Sequence, residues 1–494
     1  MSYFLSILSL DVILPLFLSM AFGIFVGAMP GLTATMAVAL IIPLTYYMKP
    51  IAGLSMVIGV SFTAIFAGDI PATYLRIPGT PASGAATLDG FEMNKKGKGP
   101  LALTLDLFCS ALGGMIGVLI LILVAPPLAR AALSFTHFEY FWLGIFGLSM
   151  AAVLSKGNTI KGLLSALLGL LVSTIGIDVT TGYPRFTFGV IDLMDGVSFI
   201  PAMIGLFGIS EVLKKLTLDK DLELTRVKTD TKLQVIEAFK LMLKNKFTIV
   251  RSALIGTFIG ALPGAGADIA AWVSYGVEKN LARDEVGTGS PRGVIAPTSA
   301  NNAAIGGAWI PALSLGLPGD SITAIVLGAM LMYGLKPGPL IFTESKELVY
   351  QLFVVAVLVQ ILLIPAGWIG IKTFSYLVNL RTGVVMTAVV LFSIVGSYAI
   401  RNSFFDVGIM MVFGLLGYVM ERINMPLAPM VLALILGRMI EDNLRVGLIK
   451  TSGSYLPFIS RPISLTLVIL IVLSFLGPYL WKAFNFVKSS MRKE

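Results

Sequence analysis

The sequence predicts an all-α integral membrane protein. The expected architecture is about 12 transmembrane helices in two pseudo-symmetric, inverted repeats with broken or re-entrant Gly/Pro-rich hairpins. Three observations carry that prediction. Of 494 residues, 56% are hydrophobic and only 13% charged, with a mean hydropathy of +0.90. A soluble chain of this length needs more charge to cover its surface. Residues 12–48 carry no charged side chain, and at about 1.5 Å per helical residue that run exceeds one bilayer crossing and must break. Finally, long motifs recur in the same order in the two halves.

In the first half, apolar stretches of spanning length lie near residues 5–29, 32–48, 51–68, 101–124, 138–155, 160–176 and 197–213. They resume near 247–263, 265–277, 293–315, 321–335, 348–371, 383–400, 404–420, 426–440 and 462–482. Several are too short or too Gly/Pro-broken for full spans. The first residues lack a basic n-region and a small-residue cleavage site, so no cleavable signal peptide is expected. Between the two sets, residues 214–251 hold ten Lys/Arg against five Asp/Glu. By the positive-inside rule this linker is cytoplasmic. The expected division is therefore a first repeat half at 1–213, the basic linker at 214–251, and a second repeat half at 252–494.

The repeat is visible in three places. "GIFVGAMPG" (23–31) returns as "GTFIGALPG" (256–264), and "GDIPATYLRIPGTPAS" (68–83) aligns with "AWIPALSLGLPGDSIT" (308–323). "GKGPL" (97–101) recurs as "KPGPL" (336–340) with one gap. The loop at 95–98 is strongly basic, whereas its counterpart from Lys336 to Glu347 is charge-balanced. Repeats lying on opposite sides of a membrane give that contrast.

Paired Gly/Pro breaks at matching places in two halves point to a transporter's binding site. A helix that stops inside the membrane presents free N–H groups at one end and free C=O groups at the other. The first attract anions, and the second can hold a cation. Residues 293–335 contain one charge, Asp320, and the cluster Thr298, Ser299, Asn301 and Asn302. These hydroxyls and amides suit a carboxylate or a sodium ion, or else serve as polar glue between helices. Asp320, after Pro318-Gly319, is a candidate cation ligand or proton carrier, or simply the cap of the helix that starts at Ser321. Asp268 has the same two readings, and Asp69 precedes Ile70-Pro71. Arg76 is suited to pair with a carboxylate, or to snorkel to the interface.

Other chemistry is excluded or disfavoured. One cysteine, Cys109, and one histidine, His137, leave no disulfide framework and no zinc or haem cluster. His137 is expected at a membrane interface, without a functional role. No P-loop, G-x-S-x-G or H-E-x-x-H pattern occurs, so neither ATP hydrolysis through a P-loop nor a membrane hydrolase is indicated. No cofactor is expected. The net charge of +9 reflects basic cytoplasmic loops rather than nucleic-acid binding.

The segments "GALPGAGADIAAWVSYGVEKN", "APTSANNAAIGGAWIPALSLGLPGDSITAIVLGAM" and "GLKPGPLIF" resemble the large membrane subunit of the tripartite tricarboxylate transporters. "MPGLTATMAVALIIPLTY" and "IPGTPASGAATLDGFEMNKKGKGPLAL" fit the same family. The resemblance implies a multi-pass transporter of the bacterial or archaeal inner membrane, driven by sodium or protons and importing small organic anions. It implies two partners, a small multi-span membrane subunit and a periplasmic solute-binding protein. The implied substrate residues are Pro30, Gly31, Thr33, Thr35, Pro78, Gly79, Thr80, Ser83, Ser299, Asn301, Asn302, Pro318, Gly319, Ser321 and Thr323, to which Arg76 is added as a candidate on its own charge and not on the resemblance. The candidate coupling-ion positions, read from the residues themselves, are Asp69, Gly264, Asp268 and Asp320, with sodium or a proton as the ion. Thr298 and Arg76 stand where the family more often has an acidic and a small polar residue, which leaves dicarboxylates and aromatic acids open beside tricarboxylates. A passive anion channel, or a membrane enzyme or assembly factor, is the alternative.

Overall fold

The computed structural model describes residues 7–30, 32–154, 159–178, 181–218, 233–377 and 382–490. Residues 219–232 of the 214–251 linker, and Gly31, therefore lie outside the described residues.

The chain is overwhelmingly helical. In chain order, α1 is Leu10–Ala28, α2 Ala34–Thr45, α3 Pro50–Ala67, α4 Asp69–Leu75, α5 Ala86–Lys95, α6 Gly99–Ala132, α7 His137–Leu154 and α8 Thr159–Ser173. Two short strands follow, β1 (Gly176–Ile177) and β2 (Pro184–Arg185), paired antiparallel. Then come α9 (Phe199–Met203), a π-helical turn (Ile204–Ile209), α10 (Ser210–Leu218), α11 (Val235–Lys244), α12 (Lys246–Gly260), α13 (Gly266–Leu281), α14 (Pro291–Leu315) and α15 (Ser321–Met332). The chain closes with α16 (Ile341–Glu344), α17 (Lys346–Leu377), α18 (Thr382–Arg401), α19 (Phe404–Arg422), α20 (Ala428–Lys450), α21 (Leu456–Ser460) and α22 (Pro462–Ser490). Among the described residues, seven helices are long and apolar enough to cross a membrane, and four shorter apolar ones accompany them. The all-α membrane expectation is borne out, and the two-residue strands β1 and β2 lie where Gly176, Gly182 and Pro184 interrupt helical patterning.

The helix ends follow from local chemistry. α1 stops at Ala28 because Met29 precedes a proline and is pushed into extended backbone (φ −89°, ψ 115°). α2 starts where the Thr33 side chain accepts the Met36 N–H at 3.1 Å. α14 starts with Pro291 behind the N-cap Ser290, and ends at Gly316 in the left-handed region.

The chain divides into two compact units. One comprises residues 1–130 and 198–419, the other residues 131–197 and 420–494. The smaller unit packs α20 against α7 and α8, with α22 on α7. In the larger unit α1 packs on α3, and α12 packs on α14. The crossings are so close that a Cβ on Gly27 would meet the Ala64 carbonyl oxygen at 2.2 Å, and one on Gly260 the Ala304 oxygen at 2.1 Å. α2 lies against α3 and α13 against α14; the 3₁₀ turn Pro81–Ser83 packs on α13, and α15 packs on α2.

Candidate functional site

Two hairpins carry most of the residues singled out in the sequence. In the first, α4 ends at Arg76, whose backbone is left-handed (φ 61°), and the chain returns through Pro78-Gly79 into the 3₁₀ turn. In the second, α14 ends at Gly316 (φ 71°) and returns through Pro318-Gly319 into α15. Both turn on a residue with positive φ followed two residues later by proline. A Cβ on Gly79 would meet the Gly27 carbonyl oxygen at 2.2 Å, and one on Gly319 the Gly260 oxygen at 2.4 Å. Each hairpin therefore lies against the end of the broken helix from its own half.

The second hairpin gathers several candidates. Gly264 donates its N–H to the Gly319 carbonyl at 2.8 Å. Gly266, at φ 63°, lies against Asp320, whose Cβ is 3.1 Å from where a Cβ on this glycine would stand. Asp320 itself caps α15: its Oδ1 accepts from the Thr323 N–H and hydroxyl, both at 2.7 Å, and its own N–H donates to the Thr323 hydroxyl at 3.0 Å. This is a complete capping box, with Ser321 half-buried at the first helical position. Asp268 is half-buried in the first turn of α13. In the first half, Thr33 caps α2 and Thr35 is half-buried in its first turn. The Pro30 carbonyl accepts from Lys215 Nζ at 3.0 Å. Arg76 is exposed, with its guanidinium 5.7 Å from the centre of the Phe91 ring, and Pro78 is exposed beside it.

A separate polar cluster is closed off from solvent. Asp69 opens α4 and is 1% exposed; Asn301 and Ser83 are fully buried. Asn301 Nδ2 donates to Asp69 Oδ2 at 3.2 Å, joining residues 232 positions apart. The Ser83 hydroxyl lies 2.9 Å from the Thr80 hydroxyl. Gly68 makes room for these hydroxyls, since any Cβ there would meet both at 2.6 Å. Ser299 and Asn302 are also fully buried on α14.

Sequence reasoning missed Asp106. It sits in α6, 1% exposed, where α6 packs beside α4 through Leu103, Leu107, Ile70 and Tyr74. Ser110, one turn later, donates to Asp106 Oδ1 at 3.2 Å. The signal was a lone carboxylate in an apolar helix, which is a functional candidate by default. Among the described residues, Asp69 Oδ1, Asp106 Oδ2, Asn301 Oδ1 and both polar atoms of Asn302 lack a hydrogen-bond partner. A buried unsatisfied group costs about 1–3 kcal/mol, so this concentration is poorly explained as packing glue.

Two other buried carboxylates are fully engaged. Asp89 of α5 accepts the N–H groups of Gly287, Gly289 and Ser290 and the Tyr275 hydroxyl. Glu278 of α13 holds Arg251 and Arg292. In the smaller unit, His137 Nδ1 lies 2.9 Å from Asn443 Oδ1. Arg185 forks onto Glu441 at 2.6 and 3.1 Å, and Arg445 bonds Asp178.

The sequence pattern of the Tripartite tricarboxylate transporter TctA family matches residues 13–432. An uncharacterized 52.8 kDa protein in the TAR-I ttuC' 3' region of Agrobacterium vitis is 32% identical over 460 residues, covering 92% of this chain and 90% of that protein. An uncharacterized protein in the TAR-II ttuC' 3' region of the same organism is 36% identical over 221 residues, 43% of this chain and 89% of that one. No solved structure matches.

Proposed function

The chain belongs to the tripartite tricarboxylate transporter TctA family, and on that premise we propose that it is the large membrane subunit of an ion-gradient-driven importer of small organic anions. It takes tri- or dicarboxylates from a periplasmic solute-binding protein and works with a small multi-span subunit in a bacterial or archaeal inner membrane. The two repeat halves run 1–213 and 252–494 about the 214–251 linker, and about 12 segments cross the bilayer in inverted order.

The observation that carries this reading is the reciprocal packing of the two hairpins. The 3₁₀ turn of the first half rests on α13 of the second, and α15 of the second rests on α2 of the first. Equivalent positions make equivalent contacts: Gly79 on Gly27 and Gly319 on Gly260, at the same separations as the sequence repeat. Such an arrangement brings a helix start from each half to one region, where unpaired N–H groups attract a carboxylate. A passive channel needs no paired, polar, interrupted segments of this kind.

The site assignment is tested by uptake with Asn301→Ala. The substitution deletes the Asp69–Asn301 bond without adding bulk. Gradient-driven uptake is expected to fall to background, with membrane insertion and yield preserved. Uptake at the unsubstituted rate would remove Asn301 from the site.

A further inference from the structure

We propose that α11 is an interfacial helix whose exposed face docks on the anionic phospholipid surface of the cytoplasmic leaflet. The transport reading above makes no use of this surface, and the docking is independent of which anion is carried and which ion is coupled.

At helical spacing, α11 divides into three sectors. Ala238 and Met242, one turn apart, are buried in a core cluster with Leu101, Ala102 and Leu105 of α6 and Ile249 of α12. Both ends of the helix are tied down. The Gln234 N–H donates to the Thr104 hydroxyl of α6 at 3.1 Å, and the Asn245 side chain donates to the Leu241 carbonyl at 2.9 Å. On the outward side Ile236, Phe239 and Leu243, spaced i, i+3 and i+7, are 76%, 58% and 56% exposed. Phe247, one turn further, continues that stripe at 77%. Lys240 and Lys244, also one turn apart and exposed, form the third sector beside it.

The lysines are as unserved as the apolar stripe. Among the described residues, Lys240 and Lys244 form no ion pair, and Glu237 is the one acidic residue of α11. Lys246, exposed at the start of α12, has its ammonium 5.4 Å from the centre of the Phe247 ring. Lys98 is exposed just before α6, whose first turns share the buried cluster with α11, and it too forms no ion pair among the described residues. Three separate elements thus present ammonium groups around one apolar stripe. A stripe left in water forgoes the transfer free energy of its large side chains, and the ammonium groups lack counter-charges.

The charge pattern sets the depth. Beyond Lys246 the outward stripe of α12 is Val250, Leu254 and Phe258, exposed and uncharged, while Arg251 is committed to Glu278. Such a stripe suits acyl chains. On α11 the stripe is flanked by lysines, so the boundary between acyl chains and headgroups falls at the α11–α12 junction, where Asn245 leaves the helical region (φ −108°, ψ 24°). An interfacial helix buries its apolar side among the acyl chains and holds its lysines at the level of the phosphates. Basic clusters beside a membrane segment bind anionic lipid in this way. A protein partner would need acidic groups matched to each lysine, whereas a layer of phosphodiesters supplies them everywhere. α12 leads from this anchor to Gly260, on which the second hairpin rests. The lipid contact therefore holds the cytoplasmic end of that helix.

The test uses the full chain with a cysteine-free small subunit. In detergent, phosphatidylglycerol and phosphatidylcholine are added together, and the lipid retained is counted by native mass spectrometry. Phosphatidylglycerol is expected in excess. One basic side chain at a charged bilayer surface corresponds to about a fivefold preference, so Lys244→Gln is expected to cut the ratio by that factor and Lys244→Arg to preserve it. Equal retention of the two lipids, or a ratio unmoved when Lys240→Gln and Lys244→Gln are combined, would overturn the proposal. The apolar stripe is read separately, with a nitroxide on Phe239→Cys in vesicles of both lipids; Cys109 is buried and stays unlabelled. Oxygen, which concentrates among acyl chains, is expected to reach the nitroxide more often than a water-soluble nickel chelate does. Preferential collision with the chelate places the face in water, and access by neither reagent places it under protein; either result overturns the docking. Neither measurement involves transport, so a failure of lipid docking and a failure of the transport reading are told apart.

Discussion

Gly79 lies so close to Gly27 that a Cβ on it would stand 2.2 Å from the Gly27 carbonyl oxygen, and the same relation joins Gly319 to Gly260 at 2.4 Å. The obstacle in both places is backbone, which cannot swing aside as a side-chain tip does. Gly79→Ala and Gly319→Ala are each expected to destabilise by about 1–3 kcal/mol, the usual cost of overpacking. Thermal unfolding in detergent measures it. Similar losses at the two positions would agree with equivalent roles, and a loss at one alone would contradict them.

Arg76 separates a backbone cost from a binding role. Its φ of 61° is left-handed, which a non-glycine residue pays for with roughly 1–3 kcal/mol of strain, and Gly316 fills the equivalent place. Arg76→Gly is expected to raise the melting temperature and to raise KM for the anion, since a cation beside the hairpin is lost. A variant with higher stability and unchanged KM removes Arg76 from the substrate residues.

Asp320 caps α15 and is also a coupling candidate, and conservative substitution divides the two roles. Asparagine caps nearly as well as aspartate, whereas alanine costs about 1 kcal/mol. Asp320→Asn is expected to keep stability and lose gradient-driven uptake, while Asp320→Ala loses both. Full uptake by Asp320→Asn would leave the residue a cap alone.

The smaller unit has a pH signature of its own. Arg185, forked onto Glu441 and backed by Arg445, holds that carboxyl below the ordinary range. A depressed folded value contributes stability above the unfolded value of about 4.3 and loses it as pH falls through the folded one. The pair is partly exposed, so about 0.5–1 kcal/mol is expected. Melting curves between neutral and strongly acid pH should show Glu441→Gln converging with the unsubstituted protein at the acid end. A constant gap at all pH values would contradict the ion-pair account.

The legible feature of this fold was its punctuation. Pro30 and Pro263 marked where helices stop, Pro318-Gly319 marked a hairpin, and Asp320 before Ser321 read as either a cap or an ion-coupling carboxylate; each depends on a few adjacent residues. The Asp69–Asn301 bond was not legible as a pair, because it spans 232 positions and depends on how α4 meets α14. Asp106 was passed over although a lone carboxylate in an apolar helix is itself a signal. The β1–β2 hairpin was hidden by two-residue strands too short to show alternation.

The most direct test of transport itself is accumulation in proteoliposomes. The chain, its small subunit and a loaded solute-binding protein are reconstituted, and sodium and proton gradients are imposed separately against labelled di- and tricarboxylates. Coupled transport predicts that one gradient drives the anion above its equilibrium level. Flux that only equilibrates, whatever gradient is applied, would contradict coupling and make the chain a passive channel.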